Sequence, residues 1–399
     1  MEPDGASVSL RQEVTPLNLR DKLRAINTPK KPKPEAPVQR FTDCWKKETL
    51  RSLDEFPRAF DLKRETVMLM QGEELPSPLD PARILYLDTE TTGLAGGAGT
   101  VAFEVGVGFL TEGGFVIRQY VMRDYPEEKF MLRELEALLE DFDVICTFNG
   151  KTFDLPLLRD RFLMNRMDPD CLDLPHIDLL HIARRVWKLR LKRCNLSRLE
   201  ELVLGMPRLG DLPGSEAPQR YFTFLRTGEF GLLYEVLTHN EQDIASLCVL
   251  LNHMSWLYEH PEQAAFGEDV FSMGTALEKL HHPEEARKCY RLVTHGSMRA
   301  QGQLRLAASY RRAGSRSEAR QVWLDMIARR EGGVTPYIEL AKHYEHAERD
   351  IPAALDMTRR AIARMAEPTL FDDPSVQATR NALQYRYDRL KRRLAAKGM

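Results

Sequence analysis

The chain has 399 residues, of which 43% are hydrophobic and 29% are charged, proportions that are ordinary for a soluble globular protein. The net charge of −2 excludes a global basic bias, so any contact with nucleic acid must come from a local patch. The six cysteines include no Cys-x-x-Cys pair, which argues against a zinc site or a disulfide framework and favours a reducing compartment. No signal peptide is evident and no apolar run approaches about 18 residues, so we expect no membrane span and a cytoplasmic location.

The first eighty residues precede the first strong strand pattern. Residues 1–40 are poor in large apolar side chains and contain KKPKPEAP at 30–37, which predicts a flexible, extended arm. Residues 41–82 are mixed in composition and include several aromatic side chains, which predicts a small helical lead-in segment. The main domain is predicted over 83–258, within a chain long enough for two or three domains.

The stretch RILYLDTETTG at 83–93 predicts a buried strand that ends in turn chemistry. Strand alternation places Asp88 and Glu90 on the same face, one pleat apart. Two adjacent buried carboxylates repel each other, and a hard divalent cation with oxygen ligands would remove that cost. The alternative is a strand end whose acidic side chains point into water or cap a turn.

Two further strand patterns and a helix follow. A Gly-rich loop at 94–100 allows close backbone approach. Residues 101–110 and 115–122 then predict a hairpin, and with the first strand they predict a three-stranded antiparallel unit. Apolar residues at helical spacing predict a helix over 127–141.

The run DVICTFN at 143–149 predicts a second buried strand, and the sequence NGKTFD at 149–154 comes directly after it. Asp154 precedes a helical run that has Pro156 near its first turn. This pattern leaves two interpretations open, because Asp154 is either a helix cap or a member of an acidic site.

A concentration of cations lies within a predicted helical segment over 177–204. Six basic residues occur in ten positions, with Trp187 among them: Arg184, Arg185, Lys188, Arg190, Lys192 and Arg193. Such a run is usually a solvated face, but in a nearly neutral protein it also suits contact with a phosphate backbone.

A new helix start follows the basic run. The sequence from Asn195 to Glu200, with Ser197 between them, resembles a capping box, and Gly205 is placed to end the helix. Residues 206–219 are rich in proline and glycine and predict a loop.

A long helix is predicted over 229–256, and it carries His239 and Asp243. At positions i and i+4 these two side chains share one face of the helix. Asp243 lies at the edge of the apolar stripe, where an unpaired acidic side chain is costly. A surface His–Asp pair is the alternative to a site.

From residue 268 onward the pattern predicts helical repeats. Small residues recur at spacings of 33 and 34, and each is followed twelve residues later by another: Gly274, Ala307 and Ala341, then Ala286, Ala319 and Ala353. This pattern predicts tetratricopeptide-like helix pairs over 266–366, forming a separate module with a basic-faced capping helix within 367–399. A generic α-helical bundle is the alternative. Because the concave faces of such repeats bind peptides or domains, we expect a protein partner.

The acidic positions, in their order and settings, resemble the DEDD superfamily of 3′–5′ exonucleases on an RNase H-like fold. The matching motifs are DTETTG at 88–93, NGKTFD at 149–154 and HNEQD at 239–243. More narrowly, the chain resembles the YprB-type RNase H-like family through DTETTGLAGGAGT (88–100), GDLPGSEAP (210–218) and HNEQDIASL (239–247).

The resemblance implies an α/β fold with an RNase H-like mixed sheet flanked by helices, followed by the all-α repeat region. It also implies metal-dependent 3′–5′ hydrolysis of phosphodiester bonds in DNA or RNA. The implied ligands of two Mg²⁺ or Mn²⁺ ions are Asp88, Glu90, Asp154 and Asp243, with His239 as the proton acceptor. The expected substrate contacts are Thr92, Asn149, Arg184, Arg185, Lys188, Lys192 and Arg193.

The spacing of the last motif leaves other functions open. Three residues separate His239 from Asp243, which is the spacing of the branch of the superfamily that carries tyrosine at the first position. One residue of helical register turns a side chain by about 100°. The alternatives are a catalytically weak RNase H-like module that binds nucleic acid and a scaffold that binds proteins through the repeats.

Overall fold

The computed structural model describes residues 42–93, 99–208, 210–365 and 374–396. The predicted flexible arm at 1–40, residues 94–98 of the Gly-rich loop and the first residues of the predicted capping segment lie outside the described residues. Asp43–Met399 form one compact unit.

The described part of the chain folds around a six-stranded mixed sheet with the strand order β1-β4-β3-β2-β5-β6. The strands are β1 (Trp45–Arg51), β2 (Ile84–Thr91), β3 (Ala102–Thr111), β4 (Gly114–Val121), β5 (Val144–Thr147) and β6 (His176–Asp178). Strands β1, β4, β3 and β2 pair antiparallel, whereas β2, β5 and β6 pair parallel. The predicted mixed sheet and its three-stranded antiparallel unit are confirmed. The carboxyl ends of the parallel strands meet at one edge, where the acidic residues lie.

Strand β1 corrects the prediction of a purely helical lead-in. Residues 45–51 pair with β4 along their whole length, and only the later part of the segment is helical, as α1 (Arg64–Gln71). The strand was missed because its half-buried side chains include Lys47 and Arg51, while Leu50 is exposed. Apolar alternation is therefore absent, although the backbone is extended.

Helices cover both faces of the sheet, as the fold prediction requires. They are α1, α2 (Glu128–Leu139), α3 (Asp154–Met164), α4 (Leu179–Leu191), α5 (Leu196–Leu199), α6 (Ala217–Thr227) and α7 (Tyr234–Glu259). Strand alternation divides β2 between two cores: Leu85 and Leu87 pack with α2 and α3, whereas Ile84 and Tyr86 pack with α4 and α7. Because α7 crosses β2, its side chains reach the carboxyl end of that strand.

The C-terminal region of the chain is all-helical, as predicted. Its helices are α8 (Gly267–Lys279), α9 (Pro283–Leu292), α10 (Arg299–Arg312), α11 (Arg316–Ala328), α12 (Thr335–His343), α13 (Ile351–Met365) and α14 (Pro374–Ala396). Gly274 lies so close to Tyr290 that an added Cβ would stand 2.8 Å from the ring, which explains the small-to-large pattern. The assignment of these helices to the tetratricopeptide class stays a prediction.

One residue of the predicted repeat register is wrong. Ala286 and Ala319 are fully buried as expected, but in the third repeat the fully buried alanine is Ala354, and Ala353 is only partly buried. A π-helical turn at 344–348 lies between α12 and α13. Because a π turn contains one more residue than an α turn, it moves the register by one position.

The basic face of α14 docks on the protein. Glu345 is buried, and it accepts hydrogen bonds from Arg386, Arg389 and Arg393. This set of charge-assisted hydrogen bonds ties the last helix to the turn between α12 and α13.

The sheet and the helical region share one core. Tyr86 of β2 and Tyr290 of α9 belong to the same cluster of buried side chains. Arg190 of α4 also pairs with the buried Asp269 of α8 at 2.7 Å and lies over the Phe266 ring. The predicted repeat module therefore packs on the sheet domain through α4. None of the helices in the described segments has the length and apolar composition needed to cross a bilayer.

Candidate active site

The first acidic pair lies at the end of β2. Asp88 is opposite Gly106 of β3, and the missing side chain of that glycine leaves room for α7 to approach. An added Cβ at Gly106 would stand 1.9 Å from Asn240 Oδ1. Asn240 fills this space and donates a hydrogen bond from Nδ2 to Asp88 Oδ2 at 3.0 Å. The glycine therefore allows α7 to fix the orientation of the first acidic residue.

A buried polar network lies beneath this pair. Glu104 is opposite Glu90 on β3, and it is 1% exposed. Gln119 of β4 donates from Nε2 to Glu104 Oε1 at 2.9 Å and to the carbonyl oxygen of Leu237 at 2.6 Å. Burial raises the pKa of the Glu104 carboxyl from 4.5 to about 8, and the charge of Asp88 adds to the rise. No motif in the sequence singles out Glu104, because it lies inside a strand pattern of apolar residues.

Asp154 follows β5 in the chain, and its side chain contacts β2. It is the first residue of α3 and not the N-cap, which is Phe153, and it accepts a hydrogen bond at 2.6 Å from Thr89 Oγ1. The alternative of a helix cap is therefore wrong. Burial raises the pKa of Asp154 from 3.8 to about 6, although the hydrogen bond from Thr89 opposes the rise.

The turn before Asp154 is held by a residue that sequence reasoning missed. The buried Asp178 accepts hydrogen bonds from the backbone N–H groups of Asn149 at 2.9 Å, Lys151 at 3.1 Å and Leu180 at 3.1 Å. Asn149 has a φ of 74°, a conformation that asparagine tolerates better than most residues. Asp178 thus stabilises the left-handed turn that leads into α3.

His239 and Asp243 lie on one face of α7, as their spacing predicts. His239 Nε2 is 3.6 Å from Asp243 Oδ2 and 4.0 Å from Glu90 Oε1. The histidine therefore stands between the acidic end of β2 and the acidic residue of α7. The alternative of a surface pair does not describe this position, because both side chains are largely buried.

The loop after Gly205 adds residues that were not predicted. Arg208 pairs with Glu200 in a bidentate manner, with distances of 2.5 and 2.6 Å, and also donates to Asp211 and Asp243. Asp211 in turn contacts His239. The predicted capping box is wrong, because the fully buried Glu200 binds Arg208 and not the backbone of its own helix. A loop has no periodicity from which these contacts could be derived.

The pKa values of the acidic residues at the end of β2 are raised by burial and by the charges of the other predicted acidic residues. Burial, followed by the charges of Asp243, Asp154 and Glu90, holds the pKa of Asp88 well above its usual range. Burial and the charges of neighbouring carboxyls likewise raise the pKa of Glu90 well above normal. Burial also raises the pKa of Asp243, although Arg208 and His239 oppose this. Asp88 and Glu90 therefore lie close enough to Asp154 and Asp243 to be affected by their charges.

The carboxyl cluster fits a hard divalent cation by donor type and by charge. Carboxylate oxygens are the ligands that Mg²⁺ and Mn²⁺ prefer, and bound cations relieve the repulsion described above. In the described segments, no three His, Cys, Asp or Glu side chains are arranged so that they could hold a metal ion together. The acidic residues are thus neighbours whose chemistry suits a cation, and one of them also pairs with Arg208.

The other predicted contacts lie at different distances from this cluster. Thr92 closes the end of β2, since its Oγ1 accepts from Val101 N at 3.0 Å, and Asn149 Oδ1 accepts from Thr152 Oγ1. The basic run lies on α4 and the residues just after it. This helix begins beside Asp178 and leads away from the strand ends by about 20 Å over its length.

The contacts of the basic run are directed toward the helices. Arg185 donates to the carbonyl oxygens of residues 70 and 71 of α1, and Arg190 pairs with Asp269. Lys192 donates to the carbonyl oxygen of Leu189. Arg184, Lys188 and Arg193 are exposed on the same segment. The structure does not bring the run to the carboxyl cluster.

Comparison with known proteins agrees with this architecture. Residues 85–255 match the family model RNase_H_2 of the RNase H superfamily. Over 292 residues the chain is 32% identical to the uncharacterized protein YprB of Bacillus subtilis (strain 168), an overlap of 71% of this chain and 70% of that protein. The chain belongs to the YprB family.

A solved structure with a partial likeness is the family B DNA polymerase from the hyperthermophilic archaeon Pyrobaculum calidifontis. That likeness covers 60% of this chain and 30% of the polymerase, at 16% identity and a TM-score of 0.35. The value is too low to support conclusions about this chain. The superfamily match over 85–255 contains β3 to β6, all but the first residue of β2 and most of α7, and therefore all the acidic residues of the candidate site.

Proposed function

We propose that the protein is a metal-dependent 3′–5′ exonuclease that hydrolyses phosphodiester bonds of DNA or RNA. The observation that carries the proposal is the convergence of Asp88, Glu90, Asp154 and Asp243 from β2, α3 and α7. Membership of the RNase H superfamily supports a nuclease that processes nucleic acid. A protein that only binds other molecules gains nothing from clustered buried carboxyls, because each is costly to desolvate.

The residues of the chain have distinct roles in this proposal. Two Mg²⁺ or Mn²⁺ ions, bound by the four carboxylates, would supply activation of water and stabilisation of the leaving oxygen. His239 accepts the proton of the attacking water through Nε2, which faces Glu90 and Asp243. A water oxygen–phosphorus bond forms, and the bond from phosphorus to the 3′ oxygen of the preceding nucleotide breaks.

The substrate is expected to enter from the carboxyl ends of the parallel strands. Asn149 and Thr92 border that edge and would position the terminal nucleotide. The exposed cations Arg184, Lys188 and Arg193 would contact phosphates farther along a strand that continues past α4. We also propose that the helical region binds a protein partner, as repeat surfaces do.

The test is a cleavage assay on single-stranded DNA and RNA labelled at the 5′ end, with Mg²⁺, Mn²⁺ or EDTA. Asp88→Asn and Asp243→Asn should each reduce cleavage by about 10²-fold or more, because each removes one charged ligand. Glu235→Gln is the matched control, since Glu235 is an exposed acid of α7 that pairs with Arg220.

A metal-dependent ladder that shortens from the 3′ end, and that is lost in both Asn variants only, would support the proposal and identify the sugar. Absence of cleavage on every substrate, together with retained metal binding, would replace it with the nucleic-acid-binding alternative. Equal activity of the Asp88→Asn variant and the wild type would place the chemistry elsewhere.

A further inference from the structure

The loop at 206–212 contacts α7 beside the carboxyl cluster. In its described part, Asp211 Oδ1 lies 2.8 Å from His239 Nδ1, a distance typical of a hydrogen bond. The opposite ring nitrogen, Nε2, lies 3.6 Å from Asp243 and 4.0 Å from Glu90. Both distances exceed a hydrogen bond, and no donor in the described segments forms a hydrogen bond to Nε2.

The groups around Nδ1 determine which nitrogen carries the proton. A carboxylate only accepts hydrogen bonds and a guanidinium only donates them. Arg208 Nη1 is 3.2 Å from Nδ1, but it also donates to Asp211 Oδ2 at 2.9 Å. Because the carboxylate oxygen is closer to Nδ1, the ring nitrogen must donate to Asp211. A proton on Nδ1 leaves Nε2 free to accept one.

The position of Asp211 is itself fixed. The fully buried Glu200 binds Arg208 through two hydrogen bonds and also accepts one from Ser246 Oγ of α7. Arg208 therefore links the loop to α7 one turn or more beyond His239. Hydrogen bonds from His239 and Arg208 hold the pKa of Asp211 below its usual value although burial opposes this, so the carboxylate remains a pure acceptor.

We propose that Asp211 is a positioning residue that holds His239 in the tautomer with the proton on Nδ1 and with Nε2 facing Glu90 and Asp243. The catalytic consequence of this arrangement rests on the proposed nuclease function. The pairing itself does not depend on that function. Asp211 supplies from a loop the orientation that helical spacing alone does not provide for a histidine four positions before the last acidic residue.

For the substitution Asp211→Asn we predict that the proton of the His239 ring changes nitrogen. Asparagine has a single side-chain oxygen, and the charged Arg208 is the stronger donor competing for it. The amide N–H₂ group then faces His239 Nδ1 and donates to it, which moves the ring proton to Nε2. Loss of the correct tautomer on an Asp-to-Asn change has this same cause in serine proteases.

The tautomer is measured by two-bond ¹H–¹⁵N correlation spectra of protein labelled in histidine, without metal, at about pH 8.5, where free histidine is neutral. The spectrum of His239→Gln assigns the signals. The wild type should show the protonated nitrogen at Nδ1, and Asp211→Asn should show it at Nε2 with an otherwise native spectrum. Asp211→Glu, which keeps an acceptor, should return the proton to Nδ1. Glu235→Gln is the control for removal of an acid from the same surface of the chain.

The same variants are then compared in the cleavage assay. Asp211→Asn should lower kcat by about 10²–10⁴-fold with little change in KM, because proton transfer is lost and binding is retained. An Nε2–H signature in the wild type, or an unchanged tautomer in Asp211→Asn, would overturn the proposal. A wild-type rate in Asp211→Asn would overturn its catalytic part. If the wild type cleaves nothing, the nuclease proposal fails, and the spectra still decide whether Asp211 orients His239.

Discussion

The pKa of Glu104 predicts an unusual dependence of stability on pH. Its carboxyl is ionised in the unfolded chain above pH 4.5 but takes up a proton in the folded protein up to about pH 8. A carboxyl with a raised folded-state pKa binds protons more tightly when folded, so stability falls as the pH rises through this interval. Replacement by glutamine removes the titration and retains an oxygen that accepts from Gln119.

The size of the effect follows from the pKa. Each pH unit between the unfolded and folded pKa values changes the free energy of unfolding by up to about 1.4 kcal/mol. Raising the pH from about 6 to about 8, near the upper end of the interval, should therefore lower the free energy of unfolding by about 2 kcal/mol through the titration of Glu104. Over the same two pH units, the free energy of unfolding should therefore fall by about 2 kcal/mol less in Glu104→Gln than in the wild type.

The measurement is urea denaturation of both proteins in EDTA at the two pH values, followed by circular dichroism. Comparing changes with pH cancels the constant difference between a carboxyl and an amide. Glu112→Gln, in the exposed turn between β3 and β4, should run parallel to the wild type. A Glu104→Gln profile that is also parallel to the wild type would refute the reasoning, because Glu104 would then not titrate in this range.

Three further predictions concern packing and docking. Gly106→Ala should lower the free energy of unfolding by about 1–3 kcal/mol in thermal or urea denaturation, since its Cβ would overlap Asn240; an unchanged stability would refute the close approach. Gly274→Val should destabilise the chain by a similar amount, because the new side chain would meet the Tyr290 ring, and equal melting temperatures would contradict this. Glu345→Gln should lower the local stability of the C-terminal helix by about 2 kcal/mol, seen as faster amide exchange there than in α7; equal protection would oppose the docking role.

The sheet and the acidic positions were predictable because they depend on strong local patterns. The strand before Asp88 is a continuous apolar run, and the strand before Asp154 is another, so both elements follow from the sequence. The spacing of His239 and Asp243 also places them on one helix face without further information. The distances between the acidic residues of β2 and those of α7 depend on how α7 crosses β2. That crossing depends in turn on Gly106 of β3.

The parts that sequence reasoning missed depend on contacts between distant segments. Glu200 fits a capping box in the sequence, yet in the fold it binds Arg208, because a buried guanidinium competes better than a backbone N–H. Asp211 lies in a loop without periodicity and reaches His239 across 28 residues of chain. In the sequence, Asp178 resembles an ordinary helix N-cap. Its second role, which is to accept the backbone N–H of Asn149, becomes visible only in the fold.

Strand β1 has a practical consequence for cutting the chain into parts. It lies outside the segment 85–255 that matches the superfamily, but it covers the edge of β4 along seven residues and its Lys47 pairs with Glu241 of α7 at 2.7 Å. A fragment that starts at Arg83 would expose a row of unpaired N–H and C=O groups on β4, which promotes strand-to-strand aggregation. Expression of the sheet domain should therefore begin at or before Asp43 so that this edge stays covered.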